Sequence, residues 1–124
     1  MAADVDCMTG AEFEEFVAAL FSGPGRTIEK TETSGDQGGD VVVRQGALRE
    51  VVQAKRYAGA VSNAAVQEVV AAKAVYGCQS AWVVTNAWFT SGAEQLAEAN
   101  DVELVSRERL QLFLESGRPP ERRR

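Results

Sequence analysis

The chain has 124 residues, 45% hydrophobic and 25% charged, with 13 Lys and Arg against 18 Asp and Glu and a net charge of −5. That is enough for one hydrophobic core and too little for two. There is no histidine, which excludes Ser-His-Asp and Cys-His catalysis and His-based zinc sites, and leaves oxygen ligands for any metal, the preference of Mg2+ and Mn2+.

In chain order, Thr9-Gly10-Ala11-Glu12 has capping-box spacing, and Phe13, Phe16, Val17 and Leu20 follow at helical intervals. A helix is expected over about 10–22, ended by Gly23-Pro24-Gly25. Residues 26–32 alternate like a strand, and Thr33 to Gly39 form a loop of glycine and small polar residues. Two β-rich runs, 40–44 and 48–55, flank Gln45-Gly46-Ala47 as a hairpin. Ser62 is placed to cap a helix over about 63–76 that Gly77 stops. Ser80–Thr85 is an apolar run suited to a central strand. A helix over about 91–99 capped by Thr90, a strand over 102–105, and a last helix after Ser106 with Leu110, Phe113 and Leu114 complete the chain. The order αβββαβαβα predicts an α/β fold, a mixed central β-sheet flanked by helices. Residues 1–117 form the single domain, and the proline- and arginine-rich 118–124 is expected to be a disordered basic tail.

Charge is unevenly placed. Residues 1–40 carry 9 acidic and 2 basic side chains, whereas 41–80 carry 5 basic (Arg44, Arg49, Lys55, Arg56 and Lys73) and 2 acidic. A positive middle segment in an acidic chain can attract phosphate. Cys7 and Cys78 form no CxxC pair and are expected as free thiols of a cytoplasmic protein. No apolar run approaches the roughly 20 residues that span a bilayer. Trp82 is expected in the core, Trp88 and Phe89 over the sheet end, and Tyr57 in packing or DNA contact.

If Gly46-Ala47 is a two-residue turn, antiparallel pairing sets Asp40 opposite Gln53, and Lys55 shares the face of Gln53 because side chains alternate. A bulge would shift that register. Taken singly, a strand-edge aspartate, a satisfied buried amide and a snorkelling lysine are ordinary. Together they put an acid, an amide and a lysine beside a glycine-rich loop.

Gly39-Asp40, the thirteen-residue step to Gln53, and Gln53-Ala54-Lys55 resemble the D…(E/Q)xK signature of PD-(D/E)xK nucleases, most closely the Mrr-type catalytic domain of restriction endonucleases. The opening helix from Thr9, the loop Ser34–Asp40, the stretch Val52–Tyr57 with Val61-Ser62, and Val83–Asn86 with Phe89-Thr90 and Ala93 resemble that family's segments in order, over about residues 9–114. The resemblance implies Mg2+-dependent DNA hydrolysis, with Mn2+ as a substitute. It implies Asp40, Gln53, the Ala54 backbone carbonyl and a helix-one carboxylate, Glu14, as metal ligands, and Lys55 as the residue that orients or deprotonates the attacking water. Glutamine at position 53, known in the Mrr branch, removes one charge from the site. Asp36 is a further acid or an Asx-turn residue. Arg44, Arg56, Gln67 and Lys73 are the expected DNA contacts. A non-catalytic DNA-binding module and a Holliday-junction-resolvase-like nuclease remain open. A homodimer and a separate DNA-recognition domain outside this chain are the expected partners besides DNA.

Overall fold

The computed structural model describes residues 4–31 and 40–123. The expected glycine loop, including Asp36, therefore lies outside the described residues. A 3-10 turn over Val5–Cys7 leads into α1 (Gly10–Phe21), followed by β1 (Arg26–Lys30), β2 (Asp40–Gln45), β3 (Leu48–Lys55), α2 (Asn63–Val75), β4 (Ser80–Thr85), α3 (Ser91–Ala99), β5 (Val102–Val105) and α4 (Arg107–Ser116). The strands form one sheet in the order β1-β2-β3-β4-β5. The pairings β1–β2 and β2–β3 are antiparallel, while β3–β4 and β4–β5 are parallel. This is the expected mixed sheet with helices on both faces.

Local chemistry accounts for the boundaries. The Thr9 hydroxyl accepts from the Glu12 amide at 3.1 Å and the Glu12 carboxylate accepts from the Thr9 amide at 2.8 Å, which closes the capping box on α1. Thr90 caps α3 in the same way, accepting from the Ala93 amide at 3.1 Å. Ser62 and Ser106 occupy the N-cap positions of α2 and α4, but neither side chain makes the cap bond. Gly46 takes φ +61° at the first position of a two-residue turn, a conformation that glycine adopts without a Cβ clash.

Packing follows the strand alternation. Val41, Val43, Val52, Ala54, Trp82, Val84 and Val105 face a layer made by Phe13, Val17 and Phe21 of α1 and Leu110 of α4. Val42, Val51, Ala81, Val83 and Val102 face the other way, onto Ala65, Val66 and Val69 of α2 and Ala93 and Ala97 of α3. Every residue of β4 is buried, as a central strand covered on both faces requires. Burying each large apolar side chain contributes about 1.5–3 kcal/mol, so this sandwich is the main source of stability. One polar cluster is built into it. Buried Glu50 accepts from Ser80 Oγ and from Trp82 Nε1, each at 2.7 Å.

Residues 118–123, expected from composition to be a disordered tail, lie against the β5 edge and α4. The Arg123 amide donates to Glu103 at 2.7 Å, Arg122 pairs with Asp101 at 2.9 Å, and Pro120 is buried. The acceptors are acids on and beside an edge strand, which composition of the tail alone does not reveal. Cys7 is exposed, Cys78 is buried, and both are free thiols.

Candidate active site

Asp40 opens β2 directly opposite Gln53 of β3, the register that a two-residue turn dictates. Gln53 Nε2 donates to Asp40 Oδ1 at 3.2 Å. The pleat puts Asp40 with Val42, and Gln53 and Lys55 with Val51, so all three side chains lie on the face covered by α2 and α3. They sit at the sheet end where β3 and β4 finish, each strand having run parallel to the other.

Lys55 Nζ reaches α2, where it pairs with Glu68 Oε1 at 2.8 Å. The lysine side chain is only 12% exposed. Burial pushes the Asp40 carboxyl above its ordinary value. The Gln53 hydrogen bond and the Lys55 charge oppose that shift, and the Glu68 charge adds to it. An aspartate held this way is poised to accept a cation, because a nearby positive charge would stabilise its ionised form.

Glu14 arrives from the opposite layer, on α1. It is 4% exposed, and burial pushes its carboxyl up, with Lys30 opposing and the Asp40 charge reinforcing the shift. Asp40 and Glu14 thus feel each other electrostatically, although no hydrogen bond joins them. Neighbouring Glu15 is engaged with Lys30 at the surface, and Glu12 in the capping box. Glu14 Oε2 and Gln53 Oε1 are buried with no hydrogen-bond partner among the described residues. An oxygen buried without a partner costs about 1–3 kcal/mol, so native proteins keep few of them. With half-buried Asp40, these two are hard oxygen donors of the kind that suits a cation such as Mg2+. Among the described residues no three Asp, Glu or Cys side chains converge in ligand geometry. A cation here would therefore need the Gln53 amide and a backbone carbonyl as well as carboxylates.

The four expected DNA contacts separate. Arg56 follows Lys55 directly and, by alternation, turns to the face of α1 and α4, where Nη1 donates to the Asp6 carbonyl at 3.4 Å. Arg44 lies at the hairpin turn, four residue pairs from Asp40–Gln53 and thus about 13 Å along the strand, and is paired with Glu29 at 2.8 Å. Lys73 is in the last turn of α2, at the same far end. Neither is brought to Asp40. Gln67 is exposed on α2, and it is the adjacent Glu68 that reaches Lys55. The signal was available in the sequence. With Ala65, Val66 and Val69 buried, the helical turn of about 100° per residue sends Gln67 away from the sheet and leaves Glu68 on the flank.

Sequence reasoning also missed the cluster behind Arg56. Arg107, at the start of α4, holds Asp6 with two bonds of 2.7 and 2.9 Å and donates to the Asn86 carbonyl at 2.9 Å. Asn86 donates to Asp6 at 3.0 Å, accepts from the Tyr57 amide at 2.8 Å and donates to the Tyr57 carbonyl at 2.9 Å. These contacts hold the Asp6 carboxyl down at about 2, chiefly through Arg107.

The restriction endonuclease family Mrr_cat matches residues 5–114. No curated protein matches the chain in sequence. Among solved structures, a protein of unknown function, AF1548, is similar at TM-score 0.69 and 19% identity, over 84% of this chain and 64% of that one. The DNA modification-dependent restriction endonuclease AspBHI is similar at TM-score 0.61 and 19% identity, over 82% of this chain and 29% of that one. EndoMS in its apo form is similar at TM-score 0.57 and 22% identity, over 90% of this chain and 47% of that one. Its complex with dsDNA gives TM-score 0.51 at the same identity. The chain thus spans less than two thirds of each of these proteins. At such identities the likeness is one of fold, and the fold is that of restriction endonucleases.

Proposed function

This chain belongs to the Mrr_cat restriction endonuclease family, and from that premise we propose that it is a nuclease domain that hydrolyses DNA phosphodiesters with the help of Mg2+ or Mn2+. The observation that carries the reading is the convergence of Asp40, Gln53 and Lys55 at one sheet end, with buried oxygens on Gln53 and Glu14 that have no partner among the described residues. The cation would be held by Asp40, Gln53 Oε1, the Ala54 carbonyl and Glu14. When bound, it supplies Lewis acidity that stabilises the charge growing on the scissile phosphate.

The chain's own residues do the rest. The Lys55 ammonium faces the Asp40 end of the site, where it orients the attacking water and offsets negative charge on the phosphate. Glu68 acts as a positioning residue. It holds Lys55 Nζ against α2 and keeps the long side chain from being lost to solvent. Gln53 serves two partners at once, since its amide N–H fixes Asp40 while its oxygen stays free for the cation. The neutral amide makes the site less negative than one with glutamate, so it requires a higher cation concentration.

Complete cleavage of a duplex needs two cuts, so the domain works as a homodimer or nicks one strand at a time. The free thiols Cys7 and Cys78 fit a cytoplasmic setting. The test is cleavage of an end-labelled duplex in Mg2+ and in EDTA by the wild-type chain and Lys55→Ala. Cleavage confined to Mg2+ and lost in Lys55→Ala is expected, and cleavage that survives EDTA or the substitution refutes the reading.

A further inference from the structure

On the other face of the same strand end lies a cavity of about 460 Å³ that the reaction above does not use. It is lined by Asp6, Arg56, Tyr57, Asn86, Trp88 and Arg107 among others. Its size is in the range of small-ligand sites. Its two arginines are not equivalent. Arg107 is committed to Asp6 and to the Asn86 carbonyl, so its charge is spent within the protein. Among the described residues Arg56 makes a single bond, of 3.4 Å to a carbonyl, and its buried Nε has no acceptor. Turning its guanidinium into the cavity would lose one weak contact and gain a full acceptor. With Asp6 balanced by Arg107, Arg56 leaves the cavity one positive charge.

The cavity is also lined by an exposed aromatic ring. Trp88 is 52% exposed, against 1% for Trp82, the other tryptophan. Its exposure does not come from a loose segment. The Val61 amide donates to the Trp88 carbonyl at 2.7 Å, and the Thr90 amide donates to the Val61 carbonyl at 3.0 Å. Nearby, buried Asn86 clamps both backbone polar groups of Tyr57. A flat ring held out to water on a pinned backbone, lining the same cavity as a guanidinium with one weak bond among the described residues, is the pairing that recognises a base and its phosphate.

We propose that this cavity binds one nucleotide unit of DNA, its phosphate on Arg56 and its base stacked on Trp88. The site deepens the nuclease reading on which it rests. Arg56 follows Lys55 at the same strand end but on the other face of the sheet, so a nucleotide held here would anchor the strand at that end without touching the cation. The same chemistry is offered by a free nucleotide and by a unit within a strand, and both are probed.

The test follows tryptophan emission of the full chain in EDTA, where no cutting confuses the signal. The titrants are inorganic phosphate, a deoxynucleoside 5′-monophosphate and an eight-nucleotide single strand. Saturable quenching by the two nucleotide ligands, and none by phosphate over the same range, is expected. The strand should bind the more tightly if the site serves DNA, and equal or weaker binding of the strand would overturn that assignment in favour of a free-nucleotide site. A labelled strand should lose about fivefold or more in affinity, by fluorescence polarisation, on Trp88→Ala, with a similar loss on Arg56→Gln. Both positions are partly exposed, and circular dichroism confirms that the variants fold. Quenching by phosphate alone, or strand affinity unchanged in both variants, would overturn the proposal. A chain that passes this test yet never cuts DNA would refute the nuclease reading alone. One that cuts normally but shows no quenching would refute this site alone.

Discussion

Replacing Glu14 by glutamine separates a functional carboxylate from a structural one. Glu14 is 4% exposed, its Oε2 has no partner among the described residues, and burial is the chief reason its carboxyl is raised above the ordinary 4.5. A group whose folded value is raised gives up stability as pH climbs through that value, because the ionised form is poorly accommodated in the fold. At neutral pH and above, the wild type therefore carries a penalty. Glutamine removes the charge and keeps the shape. An unpartnered buried oxygen costs about 1–3 kcal/mol, more when charged, and relieving part of it recovers about 1 kcal/mol. The attraction from Lys30, which is lost with the charge, pulls the other way and caps the gain. For a domain of this size that is a rise in Tm of roughly 3–6 °C. The sign depends on pH. The advantage should be full at about pH 8 and vanish near pH 4, where the carboxyl is protonated in the folded and unfolded chain alike. Calorimetry of wild type and Glu14→Gln at the two pH values, with cleavage assayed alongside, checks this. A more stable variant that cleaves poorly identifies a charge kept for function at the expense of the fold. A variant destabilised at both pH values would refute the reasoning, since Glu14 would then be an ordinary structural residue.

Other perturbations give equally definite outcomes. Glu50→Leu orphans Ser80 Oγ and Trp82 Nε1 and should cost about 2–4 kcal/mol in urea unfolding, whereas Glu50→Gln, which keeps an acceptor, should cost less than half as much. Asp6, held down at about 2, contributes stability that is present above the ordinary 3.8 and lost as pH falls through the lowered value. Asp6→Asn should therefore flatten the acid limb of the stability curve between those values, and an unchanged limb would contradict the Arg107 pairing. Mg2+ at ten times its dissociation constant should stabilise the wild type by roughly 1.4 kcal/mol, seen as a higher Tm that Asp40→Asn does not share. Glu68→Gln should alter Tm by less than about 1 kcal/mol equivalent, because the glutamate is half-exposed, yet slow cleavage about tenfold by releasing Lys55.

Much of this fold is legible from local pattern. The glycine at the hairpin turn set the Asp40–Gln53 register, and the capping residues Thr9 and Thr90 located two helix starts within a residue. The alternation of Val41, Val42 and Val43 already implied a sheet covered on both sides. What local pattern does not carry is contact between distant segments. Arg44 and Lys73 looked like part of a basic site because they share a stretch of sequence with Lys55. A strand converts that closeness into distance, and the two lie at the opposite sheet end. Glu68, which was not singled out in the sequence, pairs with Lys55 from the flank of α2. The Asp6–Asn86–Arg107 cluster joins residues up to 101 positions apart, and no periodicity marks it. The same holds for the chain after Gly117, whose partners are acids on and beside β5.

Asp40, half-buried at the start of β2, is the residue on which the proposed phosphodiester hydrolysis most directly depends. The direct measurement is the conversion of supercoiled plasmid to nicked or linear forms by wild type and Asp40→Asn, at equal concentrations of folded protein in Mg2+. Cleavage by the wild type is expected, with a loss of about a hundredfold or more in the variant, as removal of a principal electrostatic group in a catalytic site typically gives, without a fall in Tm. Equal cleavage by the two proteins, or none by the wild type in either Mg2+ or Mn2+, would contradict it.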